Sequence, residues 1–202
     1  THAYPEHGVL AEESGLQEGS EYTWVIDPLD GTTNFLHGFP MFAVSVAAMR
    51  NGIIEHGVVY DPLRDEMFTA SRGEGAQLNG KRLRVSSTRQ LTPALLGTGF
   101  PSRDLSIMEP WMRSFQSLVP KTAGIRRAGA AALDLAYVAA GRLDGFWEFG
   151  LKPWDVAAGA LLIREAGGLI SDVSGEQGFI ESGNLVAATP HIFEDFRKIV
   201  AR

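Results

Sequence analysis

The first half of the chain alternates apolar and polar positions with the two-residue period of strands. Residues 43–49 and 53–60 are β-prone runs separated by Asn51-Gly52, a dipeptide that favours a tight hairpin. Asp61-Pro62 turns the chain again before a strand over 66–71, and Asn79-Gly80 joins strands over 76–78 and 82–85. This predicts an antiparallel meander, whose apolar face needs helices or another layer to cover it. The second half mixes periods. Short apolar runs at 95–98, 143–149, 169–173 and 185–188 predict strands, 107–118, 130–140 and 192–201 predict helices, and 155–166 predicts an amphipathic helix. Pro120, Gly141 and Gly167-Gly168 supply the stops. The junction over 86–92 is the best boundary, giving halves 1–90 and 91–202 that pack as one unit.

Composition narrows the function. The 202 residues are 45% hydrophobic and 21% charged, as in a globular protein with a sizeable core. A formal net charge of -6 gives no electrostatic footprint for direct nucleic-acid binding. No apolar run approaches the roughly 20 residues of a membrane span. There is no cysteine, so disulfides, thiolate–zinc sites and a cysteine nucleophile are excluded. An acidic protein that takes an anionic ligand needs local basic groups or bound cations.

Three acidic segments could hold such cations. An apolar run, Trp24 to Ile26, stops at Asp27; a Pro-Leu bend leads to Asp30, followed by Gly31, Thr32 and Thr33. Carboxylates suit a hard cation, and glycine N–H groups with neighbouring hydroxyls suit a phosphate. Upstream stands Ala11-Glu12-Glu13-Ser14-Gly15, and far downstream Asp155 lies where a helix begins. Each segment has a plainer reading as a turn, a solvated loop or a helix cap. An all-oxygen set with scattered histidines favours Mg²⁺ over Zn²⁺.

Taken in order, these segments resemble the inositol monophosphatase family, bacterial branch. The resemblance rests on Glu12-Glu13-Ser14, on the run from Asp27 through Asn34-Phe35, and on Trp154-Asp155 leading into a helix that ends Glu165-Ala166-Gly167-Gly168. Asn79-Gly80-Lys81 and the stretch 129–150 carry it further. It implies an α/β (α+β) sugar-phosphatase fold in α-β-α-β-α layers, shared with fructose-1,6-bisphosphatase, and a cytoplasmic homodimer. It also implies two or three Mg²⁺ ions held by Glu12, Asp27, the Leu29 carbonyl, Asp30 and Asp155. Phosphate would be received at Gly31 and Thr32, with Glu12, Leu29, Asp30 and Asp155 also beside the substrate. Glu148 would bind a polyol hydroxyl, and Arg126 with Gly129, Ala130 and Ala131 would form the opposite wall. Ala130 stands where the family generally has Thr or Ser, which leaves the polyol's identity open.

The implied reaction is Mg²⁺-dependent hydrolysis of a small phosphate monoester, first of all inositol monophosphate, by direct attack of water. Paired metals can bind the attacking and leaving oxygens of an in-line displacement. Glu12, with Thr32, is the expected catalytic group that orients the water and takes its proton. Alternatives are fructose-1,6-bisphosphate, a nucleotide 3′-phosphate, or a non-catalytic role in a bacterial transcription antitermination complex. Lithium inhibition is a further family expectation. The family also carries a helical segment ahead of the position of Thr1, expected to supply an acidic partner to Thr32 and a mobile lysine loop.

Overall fold

The meander forms where alternation placed it. The computed structural model describes residues 3–101 and 104–201. In chain order the first elements are β1 (Gly8–Ala11), β2 (Gly15–Gln17), β3 (Tyr22–Asp30), α1 (Thr32–Leu36), β4 (Ala43–Arg50), β5 (Ile53–Asp61), β6 (Glu66–Ser71), β7 (Gly75–Leu78) and β8 (Lys81–Arg82). They build an 8-stranded sheet ordered β2-β1-β3-β4-β5-β6-β7-β8, in which only β1 and β3 run parallel.

The remaining elements are β9 (Leu95–Thr98), α2 (Met108–Leu118), β10 (Gly124–Arg126), α3 (Ala131–Ala139), β11 (Gly145–Glu148), α4 (Pro153–Glu165), β12 (Leu169–Ser171), α5 (Phe179–Ser182), β13 (Leu185–Ala188) and α6 (Pro190–Val200). Their strands form a second sheet ordered β10-β9-β11-β13-β12. The helices α3 and α4 are buried almost all round, so α4 is not the amphipathic helix expected over 155–166 but one covered on every side. They fill the space between the sheets: α4 packs on β3 to β7, and α3 meets β5 on one side and β9, β11 and β13 on the other. Strand alternation divides two cores. Phe146, Leu185 and Ala187 face α3 and α4, whereas Trp147, Val186 and Ala188 face α2 and α6. The described residues thus build the β-α-β-α part of the expected layered α/β fold, and no helix among them is long and apolar enough to cross a membrane.

Several boundaries move for identifiable reasons. The strand expected over 82–85 shortens to Lys81–Arg82 because the chain leaves the sheet edge, Leu83 bonding to Ala76 and Val85 to Ala166 at the end of α4. Helices α4 and α6 begin two residues before their expected starts, at Pro153 and Pro190, since proline fits the first helical turn without losing a hydrogen bond. The short elements β1, β2, α1, β10 and α5 carry no period long enough to read from sequence.

Candidate metal and phosphate site

Asp27 and Asp30 are three residues apart on one strand, and a regular pleat would point them to opposite faces. The register between β3 and β4 shifts between them, an irregularity that changes the parity. Asp27 Oδ1 accepts the Leu29 N–H at 2.9 Å, which holds the bend. Both carboxylates are consequently buried on the same side. Gly31 follows with φ of 87°, a left-handed conformation in which an added Cβ would lie 2.8 Å from the Met41 carbonyl. It leads into α1, whose first N–H groups have no partner within the helix.

Asp155 comes from the other half of the fold. It stands in the first turn of α4, where its Oδ2 accepts the Lys152 N–H at 2.7 Å in a capping arrangement. The helix start is fixed to the first sheet by Ser45, whose hydroxyl donates to the Trp154 carbonyl at 3.1 Å. Since Ser45 is the register partner of Asp27, this contact sets Asp155 opposite Asp27. Asp27, Asp30 and Asp155 each offer a carboxylate oxygen within 4.8 Å of the others, a spacing that suits a hard cation.

The electrostatics support that reading. Burial pushes the Asp27 carboxyl up to about 7, opposed by the Leu29 N–H and reinforced by Glu12 and Asp155. Burial raises Asp30 well above the carboxylate range, with Asp155 and Asp27 adding to it and the Ala132 N–H opposing. Crowded carboxylates that resist ionising are in a frustrated state that a divalent cation relieves. The donor set therefore fits Mg²⁺.

These groups line a cavity of about 240 Å³ together with Glu12, Leu29, Gly31, Thr32, Gly129, Ala131 and Glu148, all expected from the sequence. Glu12 follows β1 beside β3, its N–H donating to Ile26. Thr32 Oγ1 donates to the Leu29 carbonyl at 3.0 Å. Glu148 ends β11 with its carboxyl group against Gly99, where a Cβ would overlap it and the carboxyl would have to shift.

Two expected residues stand apart. Arg126 lies on β10, with Nη1 turned back to the Ile125 carbonyl, and is not part of the cavity wall. Arg127 lines the wall instead, its guanidinium 4.9 Å from the centroid of the Phe100 ring. Alternation along an edge strand could have marked one of the adjacent arginines as outward, but not which. Ala130 is buried behind the wall, near Gly31. Asn34 has no site role legible in the sequence, yet its amide donates to the Met41 and Ala128 carbonyls and so binds the loop to the second half.

The profile of the inositol monophosphatase family matches residues 1–201. The chain belongs to that family. Nus factor SuhB of Pseudomonas aeruginosa is 61% identical over 198 residues, covering 95% of this chain and 73% of that protein. The structure of the extragenic suppressor protein SuhB from Bartonella henselae superposes with a TM-score of 0.96 at 46% identity, covering all of this chain and 78% of that one. Inositol monophosphatase from Anabaena gives a TM-score of 0.90 at 41% identity, covering 98% and 80%. The layered sugar-phosphatase fold is thereby established for this member.

Proposed function

We propose that this chain hydrolyses a small phosphate monoester, foremost an inositol monophosphate, with Mg²⁺ held by Glu12, Asp27, the Leu29 carbonyl, Asp30 and Asp155. The observation that carries this reading is the convergence of Asp27, Asp30 and Asp155 from two halves of the fold next to the Gly31-Thr32 turn. Mg²⁺ bound there supplies the positive charge that both a phosphate dianion and an attacking water require. Gly31 and Thr32 N–H groups receive phosphoryl oxygens. Thr32, whose proton goes to Leu29, keeps oxygen lone pairs with which to orient the water, and Glu12 takes its proton. Glu148 accepts a hydroxyl of the alcohol portion.

The test is phosphate release from inositol monophosphate, fructose-1,6-bisphosphate and a nucleotide 3′-phosphate, with and without Mg²⁺ and with Li⁺ added. Inositol monophosphate is expected to turn over fastest. No Mg²⁺-dependent release from any of the three would end the reading, and equal rates would make it a broad phosphatase.

A second role is favoured by the curated relatives, named Nus factor SuhB in Pseudomonas aeruginosa. We infer a transcription-complex partner, contacted independently of catalysis. Asp155→Ala should abolish hydrolysis while leaving co-purification with the transcription machinery intact; loss of both together would tie the two roles to one site.

A further inference from the structure

A second cavity, of about 270 Å³, shares no lining residue with the acidic one. Its polar lining is Arg72, Arg164, Gln177 and Glu181. Its apolar lining comes from the β4–β5 hairpin, with Met49, Ile53 and Ile54, and from α5, with Phe179 and Ile180. Asp155 stands in the first turn of α4 and Arg164 in the last, so the two cavities lie at opposite ends of that helix.

The arginines are held in place. The Arg164 guanidinium lies 5.3 Å from the centroid of the Phe179 ring, and its Nη2 donates to Gln177 Oε1. Arg72 follows β6, its backbone N–H bonded to the Glu55 carbonyl at 2.9 Å. Partial burial, and after it the charge of Arg72, hold the Arg164 guanidinium below its ordinary range. Glu165, next to Arg164, is engaged elsewhere: it accepts the Gly73 and Gly75 N–H groups at 2.8 Å each. Among the described residues, neither arginine has a carboxylate within salt-bridge distance.

A cation at the end of α4 complements the helix dipole, which accounts for Arg164 alone. Arg72 comes from a different element, and its approach to Arg164 is a like-charge repulsion that no ion pair offsets. With Glu181 counted, the cavity still carries an excess of positive charge. Two guanidinium forks match the oxygens of a phosphoryl or carboxylate group. Ile53 and Ile180, both partly exposed, leave apolar surface for a short hydrocarbon body beside them. We propose that this cavity binds a small oxyanion with an apolar body, Arg72 and Arg164 sharing its charge. The site is independent of the phosphatase reading, because it uses none of the residues assigned to hydrolysis.

The probe is phenylphosphonate, titrated by calorimetry into the full chain after metals are stripped on a chelating resin. Without metal the acidic cavity repels anions, so binding reports the second cavity. One saturable site is expected, weaker for methylphosphonate and absent for benzyl alcohol. Arg72→Gln and Arg164→Gln should each weaken phenylphosphonate roughly tenfold or more, the scale of a lost charged hydrogen bond. Arg164→Lys, which keeps the charge without the fork, should weaken it less. Glu181→Gln should tighten it, and Arg127→Gln, in the acidic cavity, should leave it unchanged. Tighter binding of phenylphosphonate than of benzoate would mark a phosphoryl ligand, and the reverse a carboxylic one; either supports the site. Absence of saturable binding overturns the proposal, as does affinity unchanged in both Arg72→Gln and Arg164→Gln. Equal binding of benzyl alcohol would reduce the site to an apolar cleft, and loss of binding in Arg127→Gln would place the anion in the acidic cavity; each overturns it too.

Discussion

Asp30 Oδ2 accepts the backbone N–H of Ala132 at 2.8 Å, a bond that spans 102 positions and joins the candidate metal loop to the first turn of α3. One carboxylate therefore serves the site and the fold at once. Its burial makes the ionised form costly, and the Ala132 N–H is the contact that offsets part of that cost.

Two substitutions separate these roles. Asp30→Ala leaves a buried N–H without an acceptor and should destabilise the metal-free protein by about 1–3 kcal/mol in chemical denaturation. Asp30→Asn keeps an acceptor and removes the charge, so the metal-free protein should be at least as stable as wild type while losing Mg²⁺ affinity. Finding Asp30→Asn less stable than Asp30→Ala would show that the Ala132 bond contributes little.

The raised Asp27 carboxyl makes metal-free stability depend on pH. Its folded value of about 7 exceeds the ordinary 3.8, so between these limits the folded chain holds a proton that the unfolded chain has released. Stability should therefore fall as pH rises from about 4 to 7 and level off above. Mg²⁺ binds the ionised form, so the rise in Tm on adding Mg²⁺ should be larger at pH 8 than at pH 5. Thermal denaturation at fixed Mg²⁺ across this range checks the sign, and a Mg²⁺ effect that shrinks with pH would contradict it.

Ser45 is a third point of leverage. Ser45→Ala removes the hydroxyl that ties β4 to the Trp154 carbonyl beside Asp155. The expected cost is about 0.5–1.5 kcal/mol, because one hydrogen bond is lost. Mn²⁺ affinity measured by calorimetry should fall several-fold if that bond positions Asp155. Unaltered affinity would mean that the capping contact with Lys152 suffices on its own.

Hairpin dipeptides and two-residue alternation specify β4 to β7, because these signals are local and each strand pairs with the next. The α3 and α4 segments are legible as helices from their apolar runs and glycine stops, but not as a covered layer: 155–166 reads as amphipathic, and it is the placement between two sheets that buries α4 on every side. The family resemblance also pointed to Glu12, Asp27, Asp30 and Asp155. Arg127, Ser45 and Asn34 are not legible as site residues, since each acts through a partner remote in sequence: Phe100, Trp154 and Ala128 respectively. The sequence by itself determined which side chains could bind a cation and a phosphate, because that is a matter of residue chemistry. Only the tertiary structure decided which of them meet: the register shift that puts Asp27 and Asp30 on one face, and the packing of α4 that brings Asp155 to them, depend on contacts that no local pattern encodes.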